Sequence, residues 1–110
     1  MHRIDRLQEE FRHAVSSIIL YEVTDPRLRG VTITRVMVTK DIGIARVYYE
    51  TTEKKKLERE GIQKALERAA HFIRKELASK VNLRNMPNLE FFFDETNDEV
   101  LKVERLFAKL

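Results

Sequence analysis

What most constrains this chain is that its apolar residues change period four times along 110 positions. Ile4, Leu7, Phe11, Ala14, Val15 and Ile18 recur at spacings of three and four, the stripe of an amphipathic helix. Arg6, Glu9 and His13 fall on the opposite side. The pattern stops at Thr24, Asp25 and Pro26, because proline lacks the next helical donor and pushes its predecessor out of helical geometry. From Val31 to Thr39 and from Ile44 to Thr51 the period becomes that of β-strands rich in Val, Ile, Thr and Tyr. The residues Lys40, Asp41, Ile42 and Gly43 between them predict a hairpin with a four-residue connection. Ala45, Val47 and Tyr49 share one face of the second strand, and Arg46, Tyr48 and Glu50 the other. In the first strand the apolar phase shifts between Ile33 and Val36, which fits either a bulge or a strand covered on both faces.

Beyond the charged linker Glu53 to Lys56 the helical period returns at Ile62, Leu66, Ala69, Ala70, Ile73 and Leu77, a long or a broken helix that can run on to Val81. Pro87 then precedes Leu89, Phe91 and Phe93, a third strand. The tail from Asp98 to Leu110 carries Val100, Val103, Leu106, Phe107 and Leu110 at helical spacing. A lone hairpin is marginal in water, so the third strand is expected to join it in one three-stranded mixed sheet, reached by a right-handed helical crossover. Helices on one face of that sheet make a two-layer α+β sandwich, a single domain over residues 1–110.

Composition narrows the chemistry. Cysteine is absent, which removes disulfides, thiolate nucleophiles and Cys-ligated metals. The longest apolar run, Ile18 to Tyr21, is too short to span a bilayer, and charges from Arg3 to Glu10 interrupt any secretory signal, so no membrane role and a cytosolic address are expected. His2, His13 and His71 lie apart, with no second ligand at metal-binding spacing. Glu58, Glu60, Glu67 and Glu76 alternate with cations in the manner of solvated helix faces. Ser16, Ser17 and Ser79 have no nucleophile-elbow context, and Gly30, Gly43 and Gly61 are too scattered to cradle a phosphate. No enzyme and no cofactor are expected.

Charge, by contrast, is unevenly placed. Residues 51–88 carry ten Lys or Arg against five Glu, and residues 89–110 carry three against six acids. With Ile62, Leu66, Ala69, Ile73 and Leu77 facing the core, Lys64, Arg68, His71 and Lys75 project from the opposite side, and Arg74, Lys80 and Arg84 flank or extend the stripe. Such a stripe suits the phosphates of RNA or DNA, and it equally suits an ordinary solvated face. Arg27 and Arg29, on a turn stiffened by Pro26, pose the same choice: guanidiniums presented to phosphate, or Arg27 paired with Asp25 to hold the turn.

Particular residues carry a resemblance as well. The succession Asp25, Pro26, Arg27, Leu28, then Val31 to Thr34, Val36, Val38, Lys40, Asp41, Ala45, Val47 and Tyr48, is similar to the hairpin region of the ribosome-binding factor A family. Arg68, Ala69, Phe72, Ile73 and Arg74, then Leu83, Arg84, Pro87, Leu89, Phe91 and Asp94, resemble that family's second half. The resemblance covers almost the whole chain. It implies a type II KH-like fold of helix, two strands, a kinked helix pair and a third strand, followed here by the C-terminal helix. It also implies a non-catalytic protein that binds the small ribosomal subunit and its 16S rRNA during maturation, acts most in the cold and leaves with help from an assembly GTPase; a monomer is expected. KH domains clamp nucleotides with a G-x-x-G loop. The family replaces that loop with an Ala-x-Gly kink, and this chain has Ala69, Ala70 and His71 there, without the glycine. A histidine takes positive φ only at a cost, so a shallower or displaced kink is expected. The alternative reading is a KH-fold protein-interaction module whose basic face is incidental.

Overall fold

The computed structural model describes residues 3–95. Helix α1 spans Arg3–Tyr21, a 3₁₀ turn Pro26–Leu28, strand β1 Val31–Val38, strand β2 Ile44–Thr51, helix α2 Lys56–Lys80 and strand β3 Asn88–Phe93. The sheet order is β1-β2-β3, with β1 antiparallel and β3 parallel to the central β2. This is the mixed three-stranded α+β sandwich expected from the order of periods. The C-terminal helix expected between Asp98 and Leu110 lies outside the described residues. No helix among the described residues is long and apolar enough to cross a membrane.

Both helices bury their apolar stripes on one face of the sheet. Phe11, Val15 and Ile18 of α1 and Leu66, Ile73 and Leu77 of α2 are fully enclosed, meeting Ala45, Val47 and Tyr49 of β2, Ile33 and Val36 of β1 and Phe91 of β3. Side-chain hydrogen bonds fix how the layers sit. Gln8 of α1 accepts from the Val38 amide at 2.8 Å. On α2, Gln63 accepts from the Tyr49 hydroxyl and donates to the Phe91 carbonyl at 2.8 Å, joining β2, α2 and β3.

The phase shift in β1 is a bulge. Ile33 pairs with Tyr49 and Arg35 with Tyr48, so Thr34 is the extra residue. Its hydroxyl donates to Asp94 Oδ2 at 2.6 Å, tying the bulge to the end of β3. In the hairpin connection Thr39 Oγ1 accepts from the amides of Gly43 and Ile44, Asp41 accepts from Thr39, and Ile42 takes φ +57°. A β-branched residue there is strained, and the hydrogen bonds around it hold the turn in place.

One expectation needs correction. The kinked helix pair implied by the resemblance is, among these residues, a single uninterrupted helix of 25 residues. Ala69 and Ala70 are the strongest helix formers and His71 an ordinary one, whereas a glycine would have weakened the helix and opened positive φ at that point. No residue but Ile42 has positive φ among those described.

Candidate nucleic-acid interface

Because α2 is uninterrupted, its outer face is continuous. Lys64, Arg68, His71 and Lys75 are all exposed on it. At about 100° per residue they fall within an arc of roughly 60°, and at about 1.5 Å rise the first and last stand roughly 16 Å apart along the axis. The side chains of Lys64, His71 and Lys75 have no ion pair or hydrogen bond with a described residue. Arg68 also lacks an ion pair, and acts only at longer range as the least of the influences that hold the Asp25 carboxyl low. Glu60 and Glu67 border one side of the ridge and are exposed.

The other cations singled out in the sequence divide sharply. Arg74 is half-buried and aimed inward, donating through Nε to the Pro87 carbonyl at 3.0 Å and through Nη2 to the Met86 carbonyl at 2.7 Å. It staples the turn leading into β3 onto α2. Lys80 pairs with Glu22, beyond the end of α1, at 3.6 Å. Arg27 grips Asp25 by Nη2 to Oδ2 at 2.7 Å and Nε to Oδ1 at 3.1 Å, while its backbone amide caps on the same carboxylate at 3.0 Å. That geometry is the turn-holding one of its two readings, and the guanidinium and amide of Arg27 keep Asp25 below the ordinary carboxylate range. Arg29 and Arg84 are exposed, but on turns and not on α2.

Sequence reasoning passed over two apolar features. Phe72 on α2 is 41% exposed, and it stood out in the sequence only as part of the resemblance. On the open face of the sheet the Arg35 guanidinium lies 4.1 Å from the Tyr48 ring centroid, and Tyr48 and Phe92 rings lie 5.6 Å apart. The signal for the second was the outward set Arg46, Tyr48 and Glu50 in β2, which the alternation had already separated from the core.

A cleft of about 730 Å³ between the last turn of α1 and the start of β1 is walled chiefly by Ile19, Leu20, Val23, Leu28 and Ile33, and its one carboxylate, Asp25, is held low by Arg27. No group of three His, Asp or Glu side chains able to hold a metal occurs among the described residues.

Comparison with known proteins gives a consistent result. A family model described as ribosome-binding factor A matches residues 3–107. The ribosome-binding factor A of Desulfatibacillum aliphaticivorans is 43% identical, over 98% of this chain and 87% of that protein. That of Pediococcus pentosaceus is 39% identical, over 99% of this chain and 94% of that one. The crystal structure of ribosome-binding factor A from Thermus thermophilus superposes with TM-score 0.74 at 31% identity, covering 82% of this chain and 93% of that one. A homology model of the Thermus thermophilus factor, fitted into a cryo-EM map of its 30S complex, superposes with TM-score 0.68 at 30% identity over 81% and 92% of the two chains.

Proposed function

Since this chain belongs to the ribosome-binding factor A family, we propose that it binds the small ribosomal subunit in the cytoplasm and assists late maturation of 16S rRNA without catalysis. The observation that carries the reading is the ridge of Lys64, Arg68, His71 and Lys75, continuous and exposed with no salt bridge inside the described fold. The 30S complex into which the related Thermus factor was fitted supports the choice of target.

The ridge acts through phosphates. Each cation that meets a phosphate releases a condensed counterion, which supplies affinity that falls with salt, while the fit of the surrounding surface to folded RNA supplies specificity. A factor that binds one conformer of the maturing RNA better than another shifts the population by its differential affinity and no more. It acts as a monomer, and departure, with an assembly GTPase assisting, follows when the favoured conformer no longer offers the site. Arg74, Lys80 and Arg27 belong to the scaffold in this reading, and Arg29 and Arg84 extend the contact from adjoining turns.

The test is cosedimentation with purified precursor and mature small subunits. The wild-type chain should travel preferentially with the precursor, and a Lys64→Glu, Arg68→Glu, Lys75→Glu triple variant with unchanged circular dichroism should remain in the supernatant. If the triple variant sediments like the wild type, the ridge does not bind the subunit, and the open sheet face with Tyr48, Phe92 and Met37 becomes the docking surface of a protein-interaction module.

A further inference from the structure

Phe72 sits where a helix facing water ordinarily carries a polar side chain. It lies four residues after Arg68 and three before Lys75, the spacings at which side chains on a helix are neighbours. On its far side a cleft of about 310 Å³ opens between α2 and the segment following α1. Ala65 and Ala69 floor that cleft, Val23 and Thr24 face them, and Arg68 stands at its rim. Because both floor residues are alanines, the ring is left partly uncovered.

The charges around the cleft suit an anion despite two acids in its wall. Asp25 is already held by Arg27 at 2.7 Å, and Glu22 meets Lys80 through Oε1 at 3.6 Å while its Oε2 is buried without a hydrogen bond, so the cations at the rim outweigh one partly offset carboxylate. Arg68, His71 and Lys75 remain beside Phe72 without an ion pair among the described residues. The open sheet face is a poorer platform: Tyr48 is already covered by Arg35 and Phe92, and Arg35 is itself paired with Asp94 at 3.9 Å.

We infer that this cleft receives one unstacked nucleotide of the bound RNA, with its base against the ring of Phe72 and its flanking phosphates at Arg68 and Lys75, an inference that rests on the RNA-binding reading above. An aromatic ring in a cationic setting stacks any base through its π-face, whereas a duplex keeps its bases within the helix and cannot offer one. The contact therefore favours a single-stranded loop, bulge or end. It also separates two contributions on one helix, with salt-sensitive affinity from the cations and salt-insensitive affinity from the ring.

The chain has no tryptophan, so Phe72→Trp places a single fluorophore in the cleft. Titrated at low salt with a single-stranded RNA octamer, this variant should lose emission, and an abasic octamer of equal charge should leave emission unchanged. Phe72→Ala should weaken binding to purified small subunits by about 5- to 100-fold, the usual worth of one stacked base, with no change in salt slope, and Phe72→Tyr should restore it. Equal quenching by the abasic octamer overturns the proposal, as does Phe72→Ala affinity within twofold of wild type. So does a loss of subunit affinity with no quenching by RNA, the pattern of a ring docked on a ribosomal protein. Full affinity in an Arg68→Glu, Lys75→Glu variant overturns the RNA reading itself, whereas lost affinity in that variant with an unaffected Phe72→Ala removes the stacked base alone.

Discussion

Replacing Lys64, Arg68 and Lys75 together by glutamine removes three cations that form no ion pair within the described fold, so almost all of the effect should appear in binding. Each phosphate contact contributes about 0.7 to 0.9 to the slope of log affinity against log salt, so the triple variant should lose roughly 2 to 2.7 of that slope. Between 50 and 200 mM salt, wild-type affinity should consequently fall about 20- to 40-fold further than that of the variant. The measurement is the anisotropy of labelled protein titrated with purified small subunits at several potassium chloride concentrations. Thermal unfolding of the variant should stay close to wild type, because exposed substitutions away from caps and cores usually change stability by less than about 0.5 kcal/mol. Arg74→Gln is the internal control: its guanidinium is committed to the Met86 and Pro87 carbonyls, so its salt slope should match wild type. An unchanged slope in the triple variant, or a slope lowered by a full contact in Arg74→Gln, would refute the division of α2 into an outward ridge and an inward staple.

Arg74→Ala should instead destabilise the fold by about 1.5–3 kcal/mol, the range for hydrogen bonds from a charged donor, read as a lower urea midpoint with the slope preserved. His71→Gly should cost about 0.4 kcal/mol from helix propensity and speed amide exchange in the middle of α2, giving this chain the loosened point that its own residues do not supply. The Thr39 hydroxyl and the Gly43 amide hold the Asp41 carboxyl below its ordinary value, so its stabilising effect is present above that value and lost as pH falls through the depressed one. Asp41→Asn should thus flatten the acid limb of stability against pH, below about pH 4, and leave the neutral plateau little changed. Burial, assisted by Glu67, raises the Tyr49 phenol, so stability should decline as pH climbs above about 10, a limb that Tyr49→Phe should remove.

How much of this was legible in the sequence depends on whether a feature is local. The helical stripe of Phe11, Val15 and Ile18 and the alternation of Ala45, Val47 and Tyr49 are properties of neighbours in the chain, and both faces are buried as their periods require. The break in β1 was visible as a phase shift, but its meaning lies in pairing. Thr34 is recognisable as the bulged residue only once Ile33 and Arg35 are matched to Tyr49 and Tyr48, and its bond to Asp94 crosses sixty positions. For α2 the period alone left a long or a broken helix open, and the resemblance added a kink; the single helix follows from Ala69, Ala70 and His71, which contain nothing that breaks one.

The same distinction sorts the basic residues. That Lys64, Arg68, His71 and Lys75 share a face follows from spacing alone, so it was readable from the chain. That Arg74 and Lys80 do not join them was not readable, because their partners are two carbonyls on a distant turn and a carboxylate just past α1. Arg27 fell between these cases, since Asp25 is two residues away and pairing was one of its two readings from the start. A run of cations therefore announces a charge density without announcing which charges are free. Only those whose partners the fold leaves outside the protein can release counterions from RNA, and the salt slope counts them directly.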